Sequence, residues 1–346
     1  RGKASRKALT AMTRQLTTLI GAGLPLRRSL SILEEQCEDS NLRDALGGIG
    51  EDIEAGSNFS EALAKYPRIF NKLFINMVKA GELSGALEEV LDRLSIFAEK
   101  AAGVRAKVRS AMMYPAFVVL FSAILVSLIL IFIVPKFEAI YTGFGAKLPA
   151  MTQLLVVASG ILMHHAPAVI LGFVAFMILL WRVNKTEKGK YCTDYLLLKL
   201  PIFGAIIQKG CIAKFSRTFA TLLQTGVPIL QSLVVVKDTA GNEVVARAMI
   251  RVHASIREGD TISEPLRECW VFPPLVIHMI AIGEETGAID TLLAKVAEAY
   301  EREVDAAVDG LTALIEPLII IILGVIIGFI VIALYMPIFK LVEAVK

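Results

Sequence analysis

The chain has 346 residues, 55% of them hydrophobic, with a formal net charge of +3 and a mean hydropathy of +0.63. So small a charge, with no basic patch interleaved with aromatics, excludes a nucleic-acid binder. The apolar excess points instead to a membrane protein, and 346 residues leave room for two or three domains.

In chain order, the first module reads as all helix. Leu16, Leu19 and Ile20 form one apolar face, and Gly21 and Gly23 stop that helix. Pro25 suits the first turn of the next, where its missing N–H would be unpaired anyway; Leu26, Leu30 and Leu33 then face a core. Asn41 is the expected cap of a third helix, in which Leu42, Leu46, Ile49 and Ile53 keep helical spacing and which Gly56 closes. Asn58-x-x-Glu61 has the form of a capping box. A further helix holds Phe70, Phe74, Met77 and Val78 and is expected to end at Gly81, with Ser84 capping a long helix through Leu87, Leu91, Leu94 and Ala98.

Pro115 to Val134 is the first candidate span: it contains no charged residue, and about 20 apolar residues cross a bilayer core. Tyr114 at its entry suits the interfacial aromatic belt. Leu154 to Trp181 is interrupted by His164, His165 and Pro167, so residues 154–163 read as interfacial and 165–183 as a second span anchored by Trp181. Leu318 to Met336 is the third span, with Tyr335 at its far end.

The chain is written twice. Met12 to Glu35 returns as Phe215 to Asp238, with Arg14, Leu19, Gly23, Pro25 and Leu30 matched by Arg217, Leu222, Gly226, Pro228 and Leu233. Asn58-x-x-Glu61 returns as Thr261-x-x-Glu264. After one deleted residue, Gly81-Glu82-x-x-Gly85 returns as Gly283-Glu284-x-x-Gly287, Pro115 as Pro317 and Pro135 as Pro337. The expected fold is therefore an all-α membrane protein with two repeated cytoplasmic helical bundles and three transmembrane helices. Its divisions are a first bundle at 1–110, a span at 111–135, an outside loop and interfacial helix at 136–163 and a second span at 164–183. A second bundle at 184–312, a third span at 313–337 and an outside tail at 338–346 complete it.

Lys100, Arg105, Lys107 and Arg109 precede the first span, and Arg182, Lys185, Lys188 and Lys190 follow the second, whereas residues 136–153 hold only Lys136 and Lys147 against Glu138. The positive-inside tendency sets both bundles in the cytoplasm and the C-terminus outside; Glu303, Asp305, Asp309 and Glu316 before the third span run against it but weigh little. No secretory signal precedes the first module, and a chain opening at Arg1 reads as a trimmed piece of something slightly longer.

Enzyme signatures are absent: no GxxxxGK[ST], HExxH or GxSxG occurs, and no catalytic residue, cofactor site or metal site is expected. Cys37, Cys192, Cys211 and Cys269 lack metal-ligand spacing and read as buried free thiols in helices. His164–His165 reads as an interfacial pair, and most carboxylate clusters as solvated helix faces. The spans carry no Asp, Glu, Lys or Arg in their cores, which argues against an ion pump or charged-substrate transporter. The doubled GExxG stands apart. It reads as a helix-to-helix turn with its Glu beside the following helix N-terminus, and also as a partner contact through Gly81, Glu82, Gly85, Gly283, Glu284, Glu285 and Gly287. Tyr114, Pro115, Glu316 and Pro317 read as a membrane joint, and Gly23, Pro25, Gly226 and Pro228 as repeat turns.

The AGLP and TGVP turns, the repeated GExxG, Tyr114–Pro115, Val134–Pro135, and Lys147-Leu148-Pro149 with Thr152 together resemble the F-type inner-membrane platform family of type II secretion systems and type IV pilus machines. The resemblance covers essentially the whole chain. It implies a non-enzymatic platform that contacts a hexameric cytoplasmic ATPase, pilin or pseudopilin subunits, other inner-membrane components, the bilayer and further copies of itself. It also implies a short extension before the first bundle, missing here. Two other classes are weaker. A prepilin-processing enzyme would need an intramembrane GxGD, but Gly259–Asp260 follows Arg257–Glu258 in a soluble repeat. A small-solute transporter fits poorly with three spans and two large bundles.

Overall fold

The computed structural model describes residues 2–143, 149–164, 166–201 and 203–344, with side chains described for most of them. Lys147, Leu148 and His165 lie outside the described residues. Every element is helical, and no strand occurs among the described residues. The first repeat runs α1 (Arg6–Gly21), α2 (Leu26–Gln36), α3 (Ser40–Glu54), α4 (Phe59–Ala64), α5 (Lys72–Ser84) and α6 (Leu87–Leu128). After a π-helical turn at Ile129–Ile133 come α7 (Val134–Gly143), α8 (Ala150–His164), α9 (Ala166–Val183) and α10 (Glu187–Lys199). The six-helix order then recurs as α11 (Phe203–Gln224), α12 (Ile229–Thr239), α13 (Glu243–Glu258), α14 (Ser263–Arg267), α15 (Pro274–Thr286) and α16 (Ile289–Ala344).

Two compact units result: Arg1–Lys107 with Tyr191–Ala307, and Val108–Lys190 with Val308–Lys346. In the first unit both repeats share one continuous apolar core. It holds Leu16, Leu30, Leu46, Phe70 and Met77 from one copy and Phe215, Phe219, Leu233 and Ile280 from the other. Phe215 meets Phe272 edge-on at 5.1 Å, the equivalent residue of Phe70. Helix α5 packs on α12, where Lys72 Nζ lies 2.5 Å from Asp238 and Gln231 Nε2 donates to Asn76 Oδ1 at 2.7 Å. Arg93 donates to Gln224 Oε1 at 2.6 Å across the same seam.

Local caps differ from those read off the sequence. Asp39, not Asn41, caps α3 by accepting from Leu42 N, and Asn41 instead donates to Lys3 O. The Asp39 carboxylate also accepts from Ser5 N, and these backbone donors hold its pKa below the usual value. Helix α5 passes Gly81 and ends at Ser84, whose hydroxyl donates back to Ala80 O rather than capping α6. Pro25 and Pro228 stand one position before the first helical turn, as N-cap residues. Of the thiols, Cys211 and Cys269 are buried, Cys37 is half-buried and Cys192 is exposed; Cys37 and Cys269 lie outside helices. Burial pushes the Cys211 thiol up to about 11, which makes it unreactive.

Among the described residues, two helices are long and apolar enough to cross a membrane, Leu87–Ile140 and Ile289–Met336, or three if the bent pair α10 and α11 is one span. The pair turns through 113° and carries Lys199, Lys209, Lys214 and Arg217, while Phe215, Phe219 and Leu222 enter the core of the first unit. Those charges and that burial assign it to the helical core rather than to lipid.

The helices continue beyond Pro135 and Pro337: the backbone stays helical to Gly143 and to Ala344. A proline inside a helix has no N–H for the carbonyl four residues back. At Pro135 the chain widens into the π turn, and Val134 N donates to Ile129 O. The Leu130 carbonyl then has neither Val134 N–H nor Pro135 to accept from. Ser159 of α8 supplies the donor, its hydroxyl 2.5 Å from Leu130 O. Pro337 deprives Ala333 O in the same way, and Thr152 of α8 donates to it at 2.5 Å. Val134, Leu155, Ile330 and Ala333 bury these bonds in a small apolar core.

Candidate functional site

The two GExxG elements have one geometry, built from three roles. The first glycine allows close approach of the following helix. A Cβ on Gly81 would lie 3.0 Å from Val90 Cγ2 and 3.1 Å from Leu87 Cα, and one on Gly283 would lie 2.8 Å from Ile289 Cα. The last glycine reverses the chain at φ 72° in Gly85 and 71° in Gly287, a left-handed conformation that side chains disfavour.

The glutamate between them faces backward along the chain. Glu82 accepts from Phe59 N at 2.5 Å and Ser60 N at 3.0 Å, the first two amides of α4. Glu284 accepts from Ile262 N and, at 3.1 Å, from Ser263 N at the start of α14. Each carboxylate thus caps a short helix 21 to 23 residues earlier, satisfying otherwise unpaired N–H groups and complementing the helix dipole. The expected position beside the following helix is corrected accordingly. The expected capping box is absent in the first repeat, where Asn58 makes no side-chain cap bond, and half-formed in the second. There Thr261 Oγ1 accepts a 3.4 Å bond from Glu264 N and a 3.3 Å bond from Ser263 Oγ, while the Glu264 side chain pairs with Arg267. A cap arriving from a distant helix leaves no local spacing signature, so sequence alone had no means of finding it.

Around the glutamates the two copies diverge. Leu83 is 81% exposed beside Glu82. Its counterpart is the exposed Glu285, while Glu82 and Glu284 are half-buried. The outward-facing group is therefore apolar in one copy and acidic in the other. Among the described residues no three His, Cys, Asp or Glu side chains converge as a metal site.

The remaining sequence-predicted residues do not join this site. Gly23 and Gly226 have φ 80° and 78°, and the bonds Leu24 N to Leu19 O and Val227 N to Leu222 O repeat at 3.1 and 3.0 Å. They shape matching helix-to-helix turns. Pro115 lies inside α6 with Tyr114 exposed beside it; Glu316 and Pro317 lie exposed inside α16. Thr152 stands in the sequence only as part of a motif, and Ser159 carries no sequence signal; both serve carbonyls left open by prolines.

A family model described as type II secretion system, protein F, matches the chain twice, at residues 12–135 and 215–337. The type IV pilus assembly protein PilC of Thermus thermophilus is 46% identical over 97% of this chain and 83% of its own length. TapC, a type IV pilus assembly protein of Aeromonas hydrophila, is 42% identical over 96% and 81%. The type II secretion system protein F of Vibrio cholerae is 32% identical over 96% and 82%. With both repeats matched and relatives aligned along nearly its whole length, the chain belongs to the type II secretion system protein F family.

Proposed function

We propose that the chain is the inner-membrane platform of a type IV pilus or type II secretion machine, with no catalysis of its own. The observation that carries this reading is the double family match over both repeats, joined to relatives named for those two machines. Identities of 46% and 42% to pilus-named relatives, against 32% to a secretion-named one, favour the pilus machine. In this reading both repeats face the cytoplasm, α9 is a span alongside those in α6 and α16, and the platform works as a homo-oligomer. It transmits motion from a cytoplasmic assembly ATPase to pilin subunits entering or leaving the membrane. Because Glu82 and Glu284 are occupied as caps, the ATPase contact rests on the outward Leu83 and Glu285. Pro115 and Pro317 weaken their helices where the apolar stretches begin, supplying a joint between bundle and span.

The test combines topology with binding. In a variant lacking native thiols, Thr142→Cys is expected to label from outside intact cells and Lys188→Cys only after permeabilisation. The full chain in nanodiscs is expected to retain the cognate assembly ATPase, and Glu285→Gln to reduce both the affinity and its salt dependence. Inverted labelling, or no retention of the ATPase, would defeat the reading.

A further inference from the structure

The two repeats meet one-sidedly. Helix α5 of the first lies on α12 of the second, fixed by Lys72 to Asp238 and Gln231 to Asn76. In the repeat register α5 corresponds to α15 and α12 to α2, so the complementary arrangement would set α15 on α2. Within the chain that pair is not packed.

Side chains on these helices record the difference. Leu73 on α5 and Val235 on α12 are each 1% exposed. Their counterparts are Leu275, 68% exposed, and Ile32, half-exposed. Ile282, matching the half-buried Ala80, is also exposed. Each repeat has the same helix order, yet α5 and α12 pack on one another whereas α15 and α2 do not form a packed pair. Leu275 and Ile282 stand two turns apart on one face of α15, with the exposed His278 between them.

We propose that a second copy of this chain supplies the missing cover: α15 of one copy seats on α2 of the next as α5 seats on α12 within a chain. Leu275 and Ile282 then pack toward Ile32, with Arg28 and Glu35 of α2 at the rim. Such a head-to-tail contact either closes or propagates; used reciprocally by two copies, it closes four repeats into a ring. The proposal rests on the homo-oligomer part of the reading above and not on the ATPase.

The experiment uses the full chain in native membranes, two tagged copies, and a background in which Cys37, Cys192, Cys211 and Cys269 are replaced. In the repeat register the 72–238 pair corresponds to 274–35. Lys72→Cys with Asp238→Cys in one chain is the control for a short bismaleimide. Pro274→Cys on one tagged copy and Glu35→Cys on the other are expected to cross-link between copies with at least half the control yield. Adding Leu275→Asp should cut that yield by about tenfold with helical content unchanged. If the control closes and the two tags co-purify without a 274–35 cross-link, or the cross-link survives Leu275→Asp, this interface is wrong and oligomerisation stands. If the tags never co-purify, the proposal and the homo-oligomer reading fall together.

Discussion

The same ion pair occurs in both repeats and does different work in each. In the first, Arg14 and Glu99 approach to 3.6 Å with side chains 73% and 45% exposed. In the second, Arg217 grips Glu301 through two bonds of 2.7 and 2.8 Å, with exposures of 17% and 24%, and Lys100 from the first repeat adds a contact at 3.4 Å. An exposed single contact is worth little, whereas removing one partner of a buried pair leaves a charge without water or a counter-ion. Duplication copied the residues but not their surroundings. The second repeat became the enclosed half at this position, while at Leu275 it is the open half.

The largest expected effect tests where the repeats agree. Glu284→Ala and Glu82→Ala each leave two amides of a short helix unpaired, and each is expected to cost about 2–3 kcal/mol, since hydrogen bonds to charged groups contribute about 1.5–3 kcal/mol. Thermal unfolding in detergent measures the loss, and amide exchange at Phe59, Ser60, Ile262 and Ser263 locates it. A difference above about 1 kcal/mol between the two variants would mean that the caps are not one device. The intermediate effect tests where the repeats disagree. Arg217→Ala should cost about 1–3 kcal/mol and Arg14→Ala under about 1 kcal/mol. Equal losses would end the contrast between the two environments.

The smallest effect concerns acid. Burial raises the Asp238 pKa, but the Lys72 ammonium, joined by Lys237, outweighs it and holds the carboxyl below its ordinary value. A carboxylate with a lowered folded-state pKa stabilises fully above its unfolded value of about 3.9 and loses that contribution as pH falls through the lower folded value. Lys72→Met should remove this part of the slope below about pH 4, read from stability against pH.

Much of the fold was legible because helical spacing and repetition are local, redundant signals. Leu42, Leu46 and Ile49 fell on one buried face, and Gly56 and Gly23 turned the chain where a positive φ was needed. What failed was whatever depended on a distant partner. Asp39 displaced Asn41 because Ser5 and Leu42 both present amides to it. Glu82 reads as an ordinary turn acid until α4 is found beneath it. The fusion of both repeats into one core was equally hidden, since Lys72 and Asp238 are 166 residues apart. The setting of Pro135 and Pro337 was hidden for the same reason, since the hydroxyls that serve their open carbonyls lie on another helix.

Those hydroxyls make α8 a dry catch. If Thr152 or Ser159 withdrew without replacement, Ala333 O or Leu130 O would be left unpaired in an apolar setting, at a cost of about 1–3 kcal/mol each. Water is the one substitute small enough to donate in their place. Loosening α8 and wetting these two carbonyls are therefore a single event. Whatever dries this groove fastens the helix, and whatever hydrates it lets the helix go.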